Sequence, residues 1–329
     1  MEDIDSSSSL IDKKYEGKEN NNNNLDDINN FDISLKKPIH ILNYHKDYIY
    51  CLFILNDGRL ISGSEDKSII IYNKTTYKSD LIINENEGPV YCITQLSSGI
   101  LATCCGNGTI KLFNIKGNIY NIIQTLNDHT DIIFKIIEIK NKYLVSCSYD
   151  KSIIFYLKDN NKYKKDYQIS TNGPCNCISQ IKENEICYSE KINNDINKIC
   201  FYDINERKIK SSISNISKSV FSSFILISKD LLFISGLNLI SIINIKYYES
   251  ISEIEVPNSG WIYGTCMLNK NILLTGDNKG IIREWKIEEN NLILISKKKN
   301  AHNDCILTLL NIGNGHIASG SLDKLIKIW

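Results

Sequence analysis

From Pro38 to the C-terminus, the chain consists of short runs of β-branched and aromatic residues separated by turn residues. Long runs with the 3.6-residue period of an amphipathic helix are absent from the sequence, so the pattern predicts an all-β protein. The longest apolar stretch, Phe224 to Ile245, is interrupted by Lys229 and Asp230 and by turn residues at 236–238. It therefore predicts two buried strands, and we expect no membrane insertion.

Residues 1–36 have a different composition from the rest of the chain. They contain Ser6 to Ser9, Asn20 to Asn24 and many acidic groups, with little apolar surface to offset the entropy of ordering. The first residues are acidic and polar, unlike a secretory signal. The composition predicts a disordered, low-complexity polar tail over residues 1–36 and a folded domain over residues 37–329.

Three copies of a His, an Asp and an aromatic residue share one spacing. The His-to-Asp interval is 21 residues and the His-to-aromatic interval is 27 residues in each copy. The copies are His45, Asp66 and Tyr72; His129, Asp150 and Tyr156; and His302, Asp323 and Trp329. Each copy contains a similar Ser-rich segment, which carries Ser62, Ser146 or Ser319. Recurrence of the same residue types at the same spacing indicates a repeat architecture.

Weaker copies fill the gaps between these three. Strand-end markers at Phe113, Tyr202, Ile243 or Ile245, and Trp285 bring the number of markers to seven, and successive markers lie 40 to 46 residues apart. A four-stranded propeller blade has about 40 to 45 residues. The markers therefore predict seven blades.

These residues resemble the WD-repeat (WD40) family over all of the chain except the tail. In that family a His, a Ser or Thr, an Asp and a Trp of one blade form a hydrogen-bonded tetrad. The resemblance implies three structural tetrads: His45, Ser62, Asp66 and Tyr72; His129, Ser146, Asp150 and Tyr156; and His302, Ser319, Asp323 and Trp329. Tyr replaces Trp in two of them, which leaves the fourth link of those tetrads open.

The chain ends at Trp329, on the third strand of the last blade. Ile39 and Ile41 alternate with polar residues just before His45, so we expect this segment to supply the missing outer strand. The predicted fold is an all-β, seven-bladed WD40 β-propeller, closed by pairing of an N-terminal strand with the last blade. Closure removes an exposed sheet edge.

The resemblance also implies a partner-binding top face, at fixed offsets from the His and Asp positions. The candidates are Tyr48, Tyr50, Tyr91, Ile132, Phe134, Tyr149, Phe221, Trp261 and Tyr263. Aromatic side chains dominate protein interfaces because they bury a large area at a small cost in entropy. The favoured function is a non-enzymatic scaffold or adaptor that binds one or more proteins or peptides.

Other functions remain open at this stage. Tyr50, Tyr91, Phe134 and Tyr263 could form an aromatic cage for a cationic, methyl-lysine-like peptide. A substrate receptor of a ubiquitin ligase would be expected to carry a WDxR motif, which Arg-Glu-Trp at 283–285 does not match. The Ser, His and Asp residues could also be read as catalytic triads. Their recurrence in several blades favours the structural reading, and we expect no enzyme.

Charge and cysteine usage narrow the class of partner. Lys plus Arg and Asp plus Glu both total 38, so we expect no nucleic-acid binding, and the basic runs Lys162–Lys165 and Lys297–Lys299 are interpreted as solvated loops. The 11 cysteines lack metal-ligand spacing and fit small core residues in a reducing compartment, the cytoplasm or nucleus. We expect no metal and no cofactor, and the oligomeric state stays open.

Overall fold

The computed structural model describes residues 31–140, 142–160, 162–192, 197–214 and 221–329. The compact unit described below runs from Asp32 to Trp329. Every regular element in its described residues is a β-strand. The predicted all-β class is confirmed.

The strands follow one another through short turns. In chain order they are β1 (His40–Leu42), β2 (Ile49–Ile54), β3 (Leu60–Ser64), β4 (Ile69–Tyr72), β5 (Ser79–Ile83), β6 (Val90–Gln95), β7 (Leu101–Cys105), β8 (Ile110–Lys116), β9 (Ile119–Leu126), β10 (Ile133–Ile139), β11 (Tyr143–Ser148), β12 (Ser152–Asp159), β13 (Lys162–Ser170) and β14 (Ile178–Lys182). The second half contains β15 (Glu185–Lys191), β16 (Asn197–Asp203), β17 (Lys208–Ser214), β18 (Ser223–Leu226), β19 (Leu231–Gly236), β20 (Leu239–Asn244), β21 (Glu249–Glu255), β22 (Ile262–Asn269), β23 (Ile272–Asp277), β24 (Ile282–Glu288), β25 (Asn291–Lys298), β26 (Ile306–Gly313), β27 (His316–Ser321) and β28 (Ile326–Ile328).

The strands form seven antiparallel sheets of four strands each. Blades one to six are consecutive groups from β2–β5 to β22–β25, and blade seven combines β26, β27 and β28 with β1. The innermost strands β2, β6, β10, β14, β18, β22 and β26 contact one another in that order, and β26 contacts β2 again. The blades therefore stand in a closed ring, which confirms the predicted seven-bladed propeller.

The hydrophobic core lies between successive blades. One cluster joins Leu52 and Tyr72 of blade one to Ala318 and Ile328 of blade seven, and similar clusters occupy the other described blade boundaries. The inner strand of the next blade approaches very closely at Gly63 and Gly320. A Cβ atom at Gly320 would lie 2.7 Å from a methyl carbon of Ile49. Small residues at this position therefore let the blades pack against each other.

The N-terminal strand closes the ring as predicted. His40, Ile41 and Leu42 of β1 pair antiparallel with Ile328, Lys327 and Ile326 of β28. The backbone N–H of Ile39 adds a further hydrogen bond to the carbonyl of Ile328, at 2.8 Å. The side chain of Leu42 is buried in the cluster between blades seven and one. The pairing supplies the outer strand that blade seven lacks.

The residues just before β1 also pack on the propeller. Ile33 is fully buried, and its backbone N–H donates a hydrogen bond of 3.1 Å to the carboxylate of Glu284 on β24. Lys298 on β25 donates to the carbonyl of Ser34. Residues 32–36, which the composition assigned to the tail, are therefore ordered against blade six, because one buried isoleucine anchors an otherwise polar segment.

The remainder of the predicted tail, residues 1–30, lies outside the described residues, and its disorder stays a prediction. The described part of the chain contains no helix that is long and apolar enough to cross a membrane.

We expect the ring to depend on β1. A variant that lacks residues 1–44 loses all three pairs with β28 and the buried side chain of Leu42, so its melting temperature should fall by about 8 °C or more, or it should aggregate. A control that lacks residues 1–30 keeps the buried Phe31 and Ile33 as well as β1 and should melt near the full chain. Differential scanning calorimetry measures both, and coincident melts of the two truncations would contradict closure by β1.

Candidate functional site

The Ser and Asp of each predicted tetrad lie within hydrogen-bond distance of the His, a buried imidazole. In blade one, His45 Nδ1 lies 3.0 Å from Asp66 Oδ2, and His45 Nε2 lies 2.6 Å from Ser62 Oγ. The corresponding distances are both 2.7 Å for His129 in blade three. In blade seven, His302 lies 2.8 Å from Asp323 Oδ2 and 2.7 Å from Ser319 Oγ. Each imidazole thus joins the turn before the first strand to the second strand of its blade.

The fourth member of the tetrad differs among the three blades. Trp329 Nε1 donates to Ser319 Oγ at 2.8 Å, and the hydroxyl of Tyr72 lies 2.9 Å from Ser62 Oγ. Tyr72 therefore replaces the tryptophan donor in blade one. The hydroxyl of Tyr156 is buried and has no hydrogen-bond partner among the described residues. The fourth link is present in blades one and seven. In blade three, Tyr156 and Ser146 form no hydrogen bond of normal length, although Ser146 is close enough to oppose the rise that burial causes in the pKa of Tyr156.

Electrostatics favour a neutral imidazole and an ionised carboxylate. Burial would raise the pKa of Asp66, but hydrogen bonds from His45, Ser68 and the backbone of Lys46 outweigh it and hold the pKa well below its usual value. Burial lowers the pKa of His129 and His302, against the opposing effect of their aspartates. A neutral ring can donate from Nδ1 to the carboxylate and accept at Nε2 from the serine hydroxyl.

Two further hydroxyls support the carboxylates. Ser68 and Ser152, each two residues after the tetrad aspartate, donate to Asp66 and Asp150 at 2.6 Å. The repeated Asp-Lys-Ser sequence at 66–68 and 150–152 was the available signal for these bonds, and the sequence analysis did not use it. Blade seven has Leu325 at the equivalent position, where only its backbone N–H reaches Asp323.

Blade six lacks the tetrad histidine and uses a buried ion pair instead. Asp277 is fully buried, and Arg283 from the neighbouring strand donates to its carboxylate. Trp285 Nε1 donates to Thr275 Oγ1 at 2.9 Å, so the Trp-to-hydroxyl bond of blade seven recurs here. Sequence reasoning missed this arrangement because Asp277 lies two residues before the position where the tetrad places its aspartate.

Blades four and two use other polar groups in the same region. Glu190 in blade four is buried, and both the backbone and side-chain nitrogens of Asn172 donate to it. In blade two, the buried Asn86 stands at the histidine position and donates to the carbonyl of Lys67 at 3.2 Å. The buried Glu190, Asn86 and Asp277 therefore find hydrogen-bond partners through different chemistry in different blades. The side-chain oxygens of Asn176 and Asn278 have none among the described residues.

Four of the predicted top-face residues form a continuous aromatic arc across blades one to three, comprising Tyr50, Tyr91, Phe134 and Tyr149. Tyr50 and Tyr91 stack at a centroid distance of 4.3 Å. Phe134 meets Tyr91 edge-on at 5.7 Å and Tyr149 edge-on at 6.3 Å. Tyr50 also donates a 2.7 Å hydrogen bond to Glu65, in the turn that carries Asp66. The arc therefore lies beside the tetrad turns, and Tyr149 is 50% exposed.

The other predicted top-face residues do not join this arc by ring contacts. Trp261 and Tyr263 stack on each other at 5.8 Å on blade six. Tyr48 is exposed beside the ammonium of Lys324, 5.9 Å from the ring centre, and Ile132 is half-buried. Phe221 is only 1% exposed and packs in the core between blades four and five. Phe221 therefore does not lie on an exposed binding face, because its ring packs among apolar residues of both blades.

The tetrads resemble catalytic triads in their contacts but not in their accessibility. Ser62, Ser146 and Ser319 have no exposed surface, and each is enclosed by its histidine and the packed strands. A nucleophile must reach a substrate atom, which these hydroxyls cannot do in the folded protein. The arrangement is a structural clasp between the turn and the second strand.

The cysteines are free thiols, and ten of the eleven are buried. Burial raises the pKa of Cys266 and Cys305 to about 12, so these thiols stay protonated at neutral pH. Cys104 and Cys147 occupy the small-residue position that Gly63 and Gly320 fill in other blades. Within the described residues, no group of three or more His, Cys, Asp or Glu side chains could hold a metal ion.

Comparison with known proteins agrees with the blades and tetrads. The family described as WD domain, G-beta repeat matches residues 36–73 and 295–329, which include two of the three tetrad blades. An uncharacterized WD repeat-containing protein of Schizosaccharomyces pombe is 30% identical over 92 residues, 27% of this chain and 25% of that protein. A U3 small nucleolar RNA-associated protein 15 homolog of Xenopus tropicalis is 27% identical over 144 residues, 43% of this chain and 28% of that protein.

The ring of seven four-stranded blades, closed by an N-terminal strand and held by His–Ser–Asp clasps, defines the class of WD-repeat β-propellers. The repeat matches at both ends of the propeller and the WD-repeat relative show that this chain is similar to the WD-repeat family. The matched stretches span about a quarter of the length of either relative.

The two tyrosine tetrads provide a matched test of the fourth link. Tyr72→Phe removes a buried hydrogen bond to Ser62, so we expect the free energy of unfolding to fall by about 1 kcal/mol. Tyr156→Phe removes a buried hydroxyl that lacks a partner, so stability should stay the same or rise. Urea unfolding of the two variants measures the difference. Equal losses in both would contradict the assigned hydrogen bonds.

Stability should decrease on mild acidification. Because the pKa of His129 and His302 is lowered in the folded state, the unfolded chain binds more protons near the ordinary histidine value of 6.5. The free energy of unfolding should therefore fall from about pH 7.5 to about pH 5.5, and the lowered aspartate pKa values extend the loss below about pH 4. A variant with both His129→Gln and His302→Gln should lose less over the first interval, and an unchanged slope would refute the assignment.

Proposed function

We propose that this propeller is a non-catalytic scaffold that binds a protein segment on its top face, with the aromatic arc as the anchor. The observation that carries the proposal is the ring-to-ring contact of Tyr50, Tyr91, Phe134 and Tyr149 across three blades. Their strands hold these rings in place before a partner arrives. Rigid aromatic groups lose little entropy on binding, which makes them effective anchors.

The surroundings of the arc fit a protein partner. Lys67 and Lys151 are exposed, and each directly follows a tetrad aspartate. Both have a φ angle near +65°, so the tetrad turns set their positions. Glu65 and Asp131 add nearby acidic groups. An apolar centre with a mixed polar rim is the usual anatomy of a protein interface.

The cation-cage alternative is less favoured by the same geometry. Tyr50 and Tyr91 lie in van der Waals contact as a stacked pair, and Tyr263 is stacked on Trp261, so an ammonium group would have to separate them. The ligase-receptor alternative also gains no support, because Arg283 is buried on Asp277 rather than displayed.

The name of the Xenopus relative refers to a U3 small nucleolar RNA-associated protein. This favours a setting in an RNA-associated, nuclear assembly, in which our chain would contact a protein component. The balanced charge of the chain, with 38 basic and 38 acidic residues, favours protein rather than direct RNA contact.

Charged replacements on the arc should abolish partner binding and preserve the fold. The test variant combines Tyr91→Glu, Phe134→Glu and Tyr149→Glu, and it spares Tyr50 because the hydroxyl of Tyr50 donates to Glu65. Each replacement should cost about 2 kcal/mol of binding free energy at a true anchor. A matched control combines Ile82→Glu, Ile119→Glu and Ile209→Glu, which are exposed on outer strands.

The measurement is quantitative affinity capture with mass spectrometry, beside circular dichroism of each sample. Loss of the same proteins in the arc variant, and their retention in the control, would support the proposal. Retention of all partners by a folded arc variant would place the binding site elsewhere.

A further inference from the structure

The outer strand of blade six has an exposed apolar edge. Ile293, Leu294 and Ile295 follow one another in β25 and are 47%, 44% and 49% exposed. Outer strands of propeller blades have a free backbone edge, and natural proteins protect such edges with charged residues. Strands β13, β17 and β21 carry lysines or glutamates along their length, whereas β25 has none before Lys297.

The outer strand of blade two, β9, is also uncharged, but the adjacent blade engages it. The side chain of Gln124 both donates to the carbonyl of Tyr163 and accepts from its backbone N–H, at 2.6 Å and 2.8 Å. Its exposed isoleucines at 119 and 122 are separated by polar residues. β25 differs from β9 in that three exposed apolar residues follow one another in it, and the segment that contains Ser34 contacts only its far end, at Lys298.

Charges of opposite sign stand at the two ends of β25. Glu288 and Glu289 lie at the hairpin that leads into the strand, and Lys297, Lys298 and Lys299 lie at its far end. Glu289 and Lys297 are both exposed. An antiparallel copy of the same strand would bring the acidic end of one chain to the basic end of the other, whereas a parallel copy would place lysine against lysine.

The hairpin also determines which backbone groups face outward. Glu288 and Asn291 close the two-residue turn, so their N–H and C=O groups point toward each other. The next outward-facing groups then belong to Leu292 and Leu294. A two-fold axis at Ile293 pairs Leu292 of one chain with Leu294 of the other. Ile295 is the extra residue of a β-bulge and Glu289 lies in the turn, so this arrangement brings Lys297 of one chain toward the turn that carries Glu289 of the other. Backbone pairing and charge pairing therefore favour the same antiparallel orientation.

We propose that β25 is a self-complementary edge through which two copies of this chain associate by antiparallel strand pairing. The two sixth blades would form one continuous eight-stranded sheet around a two-fold axis. Such isologous contacts are the usual basis of homodimers. Pairing of one short strand buries a small area, so the dimer is weak and concentration-dependent.

Charge exchange provides the test, with the full chain studied by sedimentation equilibrium. One variant carries Glu288→Lys and Glu289→Lys, and a second carries Lys297→Glu and Lys299→Glu, which spares Lys298 because it holds Ser34. Each variant alone should dimerise at least about tenfold more weakly than the parent. An equimolar mixture should regain association within about threefold of the parent, because opposite charges then face each other.

A matched control, Lys162→Glu with Lys164→Glu on β13, should dimerise like the parent. Circular dichroism should show all variants folded, since the changed side chains are exposed. A parent that stays monomeric at about 0.1 mM would overturn the proposal. It would also be overturned if a dimer formed only after removal of residues 1–31, because the intact chain would then cover its own strand edge. Association that ignores the charge changes would equally overturn it.

Discussion

The antiparallel pairing of β1 with β28 is the contact on which the rest of the structure depends. Each core cluster lies between two blades, so no blade can bury its apolar face alone, and the cluster between blades seven and one requires both ends of the chain. Closure therefore supplies the final interface of a cyclic core. Ile33 and Ser34 also form hydrogen bonds with blade six, so the N-terminal segment contacts the propeller beyond β1 itself.

Polar chemistry at the blade entrances follows from this packing. Close approach of the blades buries turn carboxylates and strand hydroxyls, and each buried group needs a partner. Blades one, three and seven meet this need with histidine, blade six with the Arg283–Asp277 pair, and blade four with Asn172 and Glu190. The ring tolerates such variation because each arrangement gives the buried polar groups of its blade a partner, and because the packing between neighbouring blades also stabilises the ring.

The two interaction surfaces proposed for this protein have different physical origins. The aromatic arc is made of side chains that neighbouring inner strands hold in mutual contact. The edge of β25 is made of backbone groups and aliphatic side chains on the outer rim. The first suits a partner that fills an apolar surface, and the second suits another strand. Because they lie on separate strands of different blades, binding at one leaves the other accessible.

The sequence by itself determined much of the architecture. Runs of β-branched and aromatic residues indicated the all-β class, the repeat spacing indicated seven blades and three histidine clasps, and the alternation of Ile39 and Ile41 with polar residues indicated the closing strand. Only the tertiary structure decided which tyrosine completes its tetrad, since Tyr72 and Tyr156 are the same residue at the same offset. It also turned Phe221 into the core, ordered Ile33 on blade six and brought Arg283 to Asp277. These outcomes depend on how adjacent blades pack, which a one-dimensional period does not encode.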